Sequence, residues 1–398
     1  MSTSLREPTA TPLVSPGAAT ALLDAYRPGI DRFLASPHHT LLGKGATAYV
    51  PHDTRPLTWR VRDVLNALRR AGAVAPIVVG SVPFAPDAPH SLASPRSVQW
   101  APPLRQDPLI ALPGPLPLED TVWQVREVPT AERYSQAVAD AVERMRAGEY
   151  TKVVLARTLE LTAPDEPDLA AMLSRLARRD PAGYTFAVPS GPGRTLIGAS
   201  PELLVARRRG RLIGNPLGGS APRSPDLAED VRRAAALLES PKDLHEHAVV
   251  VDAVREALAP FCTRLEVPER PTLARTAAMW HLSTTVTGAL ADPDVTALEL
   301  ASALHPTPAV CGTPTDVARA VIAESEPFDR GPYTGMVGWQ DADGDGEWVV
   351  TIRCAEAEGH SLRLFAGAGV VAASSPEAET AETGAKFRTF LDAVGASL

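Results

Sequence analysis

Apolar positions recur at helical spacing after Thr130. Tyr134, Val138, Ala141, Val142 and Met145 fall on one face, Thr130 suits an N-cap and Gly148 a stop, so a helix is expected there. A strand is expected to follow at once, Lys152-Val-Val-Leu-Ala-Arg157, with Lys152 at its mouth on the same face as Val154 by the two-residue period. Residues 185–188 and 195–198 flank the Pro/Gly segment 189–193 and predict a hairpin. Two helices are expected at 227–239 and 242–258, a strand-rich section at 333–371 and a last helix at 377–394. Nearer the start, 18–34 reads as helical, and 77–80 with Val82-Pro83-Phe84 reads as a buried strand ending in a turn. The Pro-dense stretch 101–117 reads as a connector, because each ring removes a backbone donor and fixes φ. This alternation favours an α/β or α+β fold, and no repeat of about 20–50 residues is present.

Composition narrows the classes. The 398 residues allow two or three domains or one large α/β unit. Lys and Arg total 39 against 47 Asp and Glu, a net charge of −8, which gives no general attraction to nucleic acid or an anionic membrane. An anionic ligand would need a local cluster of cations or a metal. Cys262, Cys311 and Cys354 have neither paired nor metal-like spacing, which suggests packed thiols in a reducing compartment. Residues 1–19 lack the apolar stretch of a signal peptide, and the longest apolar segment, 71–85, is broken by Pro76, Gly80 and Pro83. Neither export nor a membrane span is expected.

Several motif-like segments dissolve on inspection. Asp341-Ala-Asp-Gly-Asp-Gly346 imitates half a calcium loop, but position 12 is Ile352, so a hairpin turn is the better reading. His245-Glu-His247 places its histidines on different helix faces and is no HExxH zinc site. The glycine-rich 214–220 lacks the Gly-Lys-Ser/Thr ending of a P-loop, and no Gly-x-Ser-x-Gly elbow appears near a strand. More suggestive is the last helix, where Glu379, Glu382 and Lys386 at i, i+3 and i+7 share one face after Gly367-Ala-Gly369, read here as a turn with free amides. Glu246 lies on another, otherwise apolar helix, where an unpaired buried carboxylate would be costly. Carboxylates from two helices are the donors an octahedral Mg²⁺ uses.

These residues sit within ordered motifs: Lys152-Val-Val-Leu-Ala-Arg157, Gly198-Ala-Ser-Pro-Glu-Leu-Leu204, Pro216-Leu-Gly-Gly-Ser220, His245-Glu-His247, Trp280-His-Leu282, His305-Pro-Thr-Pro-Ala-Val-Cys-Gly312, Val349-Val-Thr-Ile-Arg-Cys354, Phe365-Ala-Gly-Ala-Gly369 and Glu382-Thr-Gly-Ala-Lys386. Together they resemble the chorismate-utilising enzymes, the family of anthranilate synthase component I, and within it the isochorismate synthases. Val79-Gly-Ser-Val-Pro-Phe84 and Ser91-Leu-Ala-Ser-Pro95 extend the resemblance over residues 30–398. It implies one large α/β (α+β) domain over 21–398, with a motif-rich core at 125–398, a flexible 1–20, and two sheet-and-helix halves packed around a central cleft.

The implied activity is a reversible, Mg²⁺-dependent isomerisation of chorismate, adding water at ring position 2 and expelling the position 4 hydroxyl. By resemblance Lys152 is the general base and Glu202 the general acid, which burial must keep protonated. Glu246 and Glu382 match the Mg²⁺ ligands, with Glu379 adding to them. Arg353, Tyr333 and the Gly367 and Gly369 amides match the holder of the enolpyruvyl carboxylate, and Ser220, His281, Ala309 and Lys386 line the pocket in relatives. Family members that use ammonia usually carry glutamine at the Lys152 position, so water is the expected nucleophile and no glutaminase subunit is expected. Gly218 replaces the lysine nucleophile of aminodeoxychorismate synthases and the alanine common in isochorismate synthases, and Thr380 replaces a larger residue. The remaining readings are a salicylate synthase, which would go on to eliminate pyruvate, an amino-deoxyisochorismate or anthranilate-type synthase, and a silent chorismate-binding paralogue. The resemblance implies a cytoplasmic monomer whose product feeds siderophore, menaquinone or other secondary metabolism.

Overall fold

The computed structural model describes residues 16–115 and 122–396. Its framework is two large sheets packed face to face, with all strand pairings antiparallel, which resolves the α/β or α+β expectation to α+β. The first sheet runs, in spatial order, Gly312–Thr313, Lys152–Thr162, Ser361–Val371, Cys354–Glu358, Arg194–Ser200, Tyr184–Gly191, Arg32–Ala35, Thr40–Lys44 and Ser97–Ala101, with Gln124–Val128 pairing beside Lys152–Thr162. The second centres on Leu203–Arg208, Gly346–Val350, Met336–Asp341 and Ile77–Val82. A small third sheet of Leu217–Pro222, Met279–Ser283 and Thr272–Arg275 stands apart from both.

Four apolar clusters are present among the described residues, the fourth joining Tyr134, Val138 and Val321 to Val153 and Leu155 of the Lys152 strand. Leu34, Phe186, Leu196, Leu203, Val337 and Trp339 fill the space between the sheets. Ala18–Asp24, Leu169–Arg179 and Pro376–Val394 cover the outer face of the first sheet through Leu23, Leu173, Phe387 and Phe390. Leu57–Arg70, Pro241–Leu258 and Ala297–Leu304 cover the second through Val61, Val254 and Leu298. Lys152–Thr162 is buried on both faces over most of its length, so its pattern reads as a continuous apolar run.

The predicted helix after Thr130 spans Ala131–Arg146, with the Thr130 side chain accepting from the Arg133 amide. The hairpin, the helices Leu227–Glu239 and Pro241–Leu258 and the last helix Pro376–Val394 lie where expected. The acidic 341–346 segment is the hairpin turn, closed by the Asp341 amide on the Asp345 carbonyl.

Three expectations need correction. The helix expected over 18–34 covers only Ala18–Asp24; Pro28 and Gly29 (φ +70°) break it and Arg32–Ala35 is a strand. Ala18 to Thr20 are therefore helical, while residues 1–15 lie outside the described residues. The stretch 101–117 is more than a connector. It holds two 3-10 turns, Leu104–Gln106 and Pro108–Ala111, and the Asp107 carboxylate between them accepts from the Gly17, Ala19 and Thr20 amides at 2.9–3.1 Å; Leu116 and Pro117 lie outside the described residues. Finally, Gly367 and Gly369 are strand residues, paired with Ala156 and Val154 inside Ser361–Val371.

Candidate active site

The end of Ser361–Val371 supplies what the expected turn was meant to supply. Cys354–Glu358 pairs with it only as far as Leu364, so Phe365 to Val371 keep one edge outside that ladder. The divergence begins at Arg353, a non-glycine residue at φ +51° whose carbonyl is held by the Ala199 amide at 3.0 Å. Lys386 Nζ donates to the Gly367 carbonyl at 2.8 Å. In an extended strand the N–H and C=O of one residue, and of the residue two further on, point to the same side, so the Gly367 and Gly369 amides face that edge as well.

Around this edge lies a cavity of about 70 Å³, bounded by Glu202, Ser220, Glu246, His281, Ala309, Arg353, Gly367, Gly369, Glu382 and Lys386. They come from the first large sheet, the small sheet, two helices and the connecting segments that carry Glu202, Ala309 and Arg353. Lys152, Tyr333 and Glu379 stand just behind its wall. Lys152 Nζ donates to Glu246 Oε1 at 3.0 Å, and a Cβ added at Gly369 would lie 2.3 Å from that Glu246 oxygen and 3.3 Å from Lys152 Cε. Only glycine leaves this space open. Tyr333 stacks on Phe365 (centroids 4.9 Å apart, planes 9°), and its hydroxyl lies over Gly367. Glu379 is one helical turn before Glu382 and pairs with Lys242 at 2.7 Å. The last helix is fixed over the site by Arg157, whose Nε donates to Thr383 at 2.9 Å, and by the Ser375 cap on the Ala378 amide.

Burial sets the electrostatics. Lys152 is 1% exposed, which excludes a lysine snorkelling to solvent. Glu202 precedes Leu203–Arg208, and burial pushes its carboxyl up to about 7 against the opposing Leu217 amide and the charges of Arg353, Lys152 and Lys386. Burial, then Arg353 and Lys386, hold His281 well below its ordinary value, so its ring is neutral. Glu379 is raised by burial and by the neighbouring charge of Glu382. Burial acts in the same direction on Glu382, but Lys386 at 2.5 Å and Ser220 at 3.0 Å bring it below the ordinary range. Each predicted metal carboxylate is thus matched by a lysine, and among the described residues no three acidic, His or Cys side chains form a ready-made cation cage.

The raised Glu202 value has a consequence for stability. Folding takes up a proton at Glu202 between its ordinary carboxyl pKa and about 7, so its contribution is fully present at lower pH and is lost as pH rises through that window. Glu202→Gln removes the titration. Urea unfolding is expected to show the variant gaining on the wild type from pH 5 to pH 7.5 and levelling off above; a pH-independent difference would mean that the carboxyl is solvated.

Sequence reasoning missed three participants. Lys242 sits one turn before Glu246 on Pro241–Leu258, a spacing legible in advance. Glu326 and Arg330 form a buried ion pair that anchors the Lys152 strand, with Glu326 Oε1 accepting from the Ala156 amide at 2.8 Å and Arg330 donating to the Val154 carbonyl at 2.8 Å. Their spacing was visible, but their burial was not. Gly218 has a local reason as well: a Cβ there would lie 3.0–3.1 Å from His247, crowding the residue that follows Glu246.

Comparison with known proteins converges on one family. Residues 114–395 match the family model described as chorismate binding enzyme. The chain is 52% identical over 388 residues to isochorismate synthase DhbC of Bacillus subtilis, covering 95% of this chain and 96% of that protein. It is 42% identical over 371 residues to isochorismate synthase EntC of Escherichia coli K12, covering 91% and 94%. The crystal structure of DhbC from Bacillus anthracis matches with a TM-score of 0.89 at 46% identity, over 95% of this chain and 100% of that one. At 24% identity and a TM-score of 0.81, MenF of Escherichia coli shares the fold.

Proposed function

This chain belongs to the family of chorismate binding enzymes, and within it we propose that the protein isomerises chorismate to isochorismate. The observation that carries this reading is the convergence of Glu202, Glu246, Arg353, Glu382 and Lys386 on one cavity, with Lys152 directly behind it, in a chain 52% identical to an isochorismate synthase.

Water adds at ring carbon 2, the conjugated double bonds shift, and the hydroxyl at carbon 4 departs, so one water enters and one leaves. Once its pair with Glu246 has opened and its own proton has passed to solvent, Lys152 takes the proton of the attacking water, and Glu202 gives a proton to the departing hydroxyl. Exchange with solvent then restores both groups. A carboxyl at about 7 keeps a substantial protonated fraction near neutrality, which is what an acid in this role requires. The substrate brings two carboxylates. Arg353, Tyr333 and the Gly367 and Gly369 amides would hold the enolpyruvyl carboxylate by charge-assisted bonds, while Lys386, Ser220, His281 and Ala309 would contact the remainder.

The cavity is far smaller than the ~300 Å³ at the low end of ligand pockets; the ion pair Lys386–Glu382 joins two of its lining residues, and Lys152–Glu246 ties a third to the lysine behind the wall. Binding a dianion would exchange these internal partners for substrate carboxylates and a cation. The carboxylates fit Mg²⁺: their donors are hard oxygens, and Glu379 is raised by burial and then by the charge of Glu382, so the pair gains from a shared cation. Glu246, Glu379 and Glu382 would hold it, and bound there it would neutralise the ring carboxylate. Glu246→Gln and Glu382→Gln are each expected to shift the Mg²⁺ activation curve at least tenfold to higher concentration; an unshifted curve would place the metal elsewhere.

On the same reading the enzyme works as a cytoplasmic monomer without a glutaminase subunit, since Lys152 stands where ammonia-using relatives usually carry glutamine. Among the described residues no helix is long and apolar enough to cross a membrane. Chromatography of the products formed from chorismate and Mg²⁺ tests the proposal. Isochorismate alone supports it; salicylate with pyruvate, an amino product that requires ammonia, or no turnover would each replace it.

A further inference from the structure

A second, larger cavity of about 880 Å³ shares no lining residue with the candidate active site. Its most unusual wall residue is Arg32. Along Arg32–Ala35, Phe33 and Ala35 face the outer helices, whereas Leu34 faces the space between the sheets, so alternation sends Arg32 inward as well. Arg32 is 2% exposed, yet among the described residues it has no carboxylate within ion-pair distance. The adjacent Asp31 is engaged by Arg27 and by the Gly45 amide. One Arg32 Nη donates to the Gly45 carbonyl at 3.1 Å and the guanidinium also bonds the Tyr49 side chain, but its Nε has no partner. A buried guanidinium with an unmade donor is costly unless something supplies the missing charge.

A second arginine converges on the same residue. Arg96 lies over Gly45, where an added Cβ would come within 2.9 Å of its Nε, and it too has no carboxylate partner among the described residues. The remaining charged groups on the wall nearly cancel. Arg194 stands 3.7 Å from Glu356, and Asp329 accepts from the Gly331 amide. His90 is held neutral, burial first and Arg60 second bringing it to about 4. Three arginines against two carboxylates leave an excess of one positive charge, at the Gly45 corner. The volume is that of a small-molecule pocket, and Val50, Pro83, Leu92 and Pro332 give it an apolar face.

We propose that this cavity is a second ligand site, for a small organic monocarboxylate whose carboxylate is taken by Arg32 and Arg96 and whose apolar body lies against Val50, Pro83, Leu92 and Pro332. The site is separate from the chorismate cavity and independent of the reaction assigned above.

Isothermal titration of the full-length protein with benzoate, and with benzamide as its neutral isostere, tests the assignment. Saturable 1:1 binding of benzoate is expected, with benzamide at least tenfold weaker. Arg32→Met should weaken benzoate at least tenfold. Ala46→Trp, which fills the cavity from its half-buried rim without removing a charge, should do the same and keeps the test decisive if Arg32→Met fails to fold. Absence of saturable binding, equal binding of benzamide, or undiminished benzoate binding in Ala46→Trp, as occupancy of the chorismate cavity would give, would each overturn it.

Discussion

Lys152→Ala is expected to lower kcat by about 10²–10⁴-fold, the usual contribution of a positioned general base, while the Mg²⁺ activation midpoint moves little. The reasoning starts from burial. At 1% exposure the side chain gains nothing from solvent, and its one carboxylate partner among the described residues, Glu246, belongs to the cavity wall. On the proposed reading, removing the lysine deletes a proton acceptor and frees Glu246 without deleting an oxygen donor, so chemistry and metal response separate. Steady-state rates measured across an Mg²⁺ titration give both quantities at once. Unchanged kcat would assign the base to another residue, and a loss confined to Mg²⁺ affinity would make Lys152 a structural counter-charge for Glu246.

Arg330→Met is expected to cost about 3–5 kcal/mol of stability, the range for breaking a buried ion pair. Arg330 and Glu326 are each 3% exposed at the side chain. All five guanidinium N–H groups are used: on the two Glu326 oxygens at 2.6 and 2.8 Å, on the Val154 and Val310 carbonyls at 2.8 Å each, and on the Thr334 hydroxyl at 3.2 Å. Methionine leaves Glu326 charged in a dry site and three other acceptors unmatched. Urea denaturation is expected to report the loss in the midpoint with little change in slope. The double variant Glu326→Gln/Arg330→Met should be less destabilised than Arg330→Met alone, because no lone charge remains. A loss below about 1 kcal/mol in the single variant would mean that water reaches the pair.

Local signals carried much of the fold. Thr130, Asp226 and Ser375 each accept from an amide of the first helical turn, and the helices begin where those residues stand. The 185–198 hairpin was legible from its Pro/Gly turn. The misreadings have a common cause, tertiary pairing. Phe33 and Leu34 are apolar on opposite faces of a strand covered on both sides, a pattern that also suits a helix. Gly367 and Gly369 look like turn residues, but they serve a strand whose far edge is left open by the left-handed Arg353. The site residues were legible as motifs. Their burial, the Lys152–Glu246 and Lys242–Glu379 pairs and the tie from Arg330 to the Lys152 strand arise from contacts between segments about 100 or more residues apart, which spacing cannot show.

The central claim is that water replaces the chorismate hydroxyl, with Lys152 and Glu202 on the two proton transfers. Mass spectrometry of the product formed from unlabelled chorismate and Mg²⁺ in H₂¹⁸O, at low conversion, tests it most directly. The account predicts isochorismate carrying one ¹⁸O at the ring carbon 2 hydroxyl. Unlabelled isochorismate, or salicylate with pyruvate in its place, would contradict it.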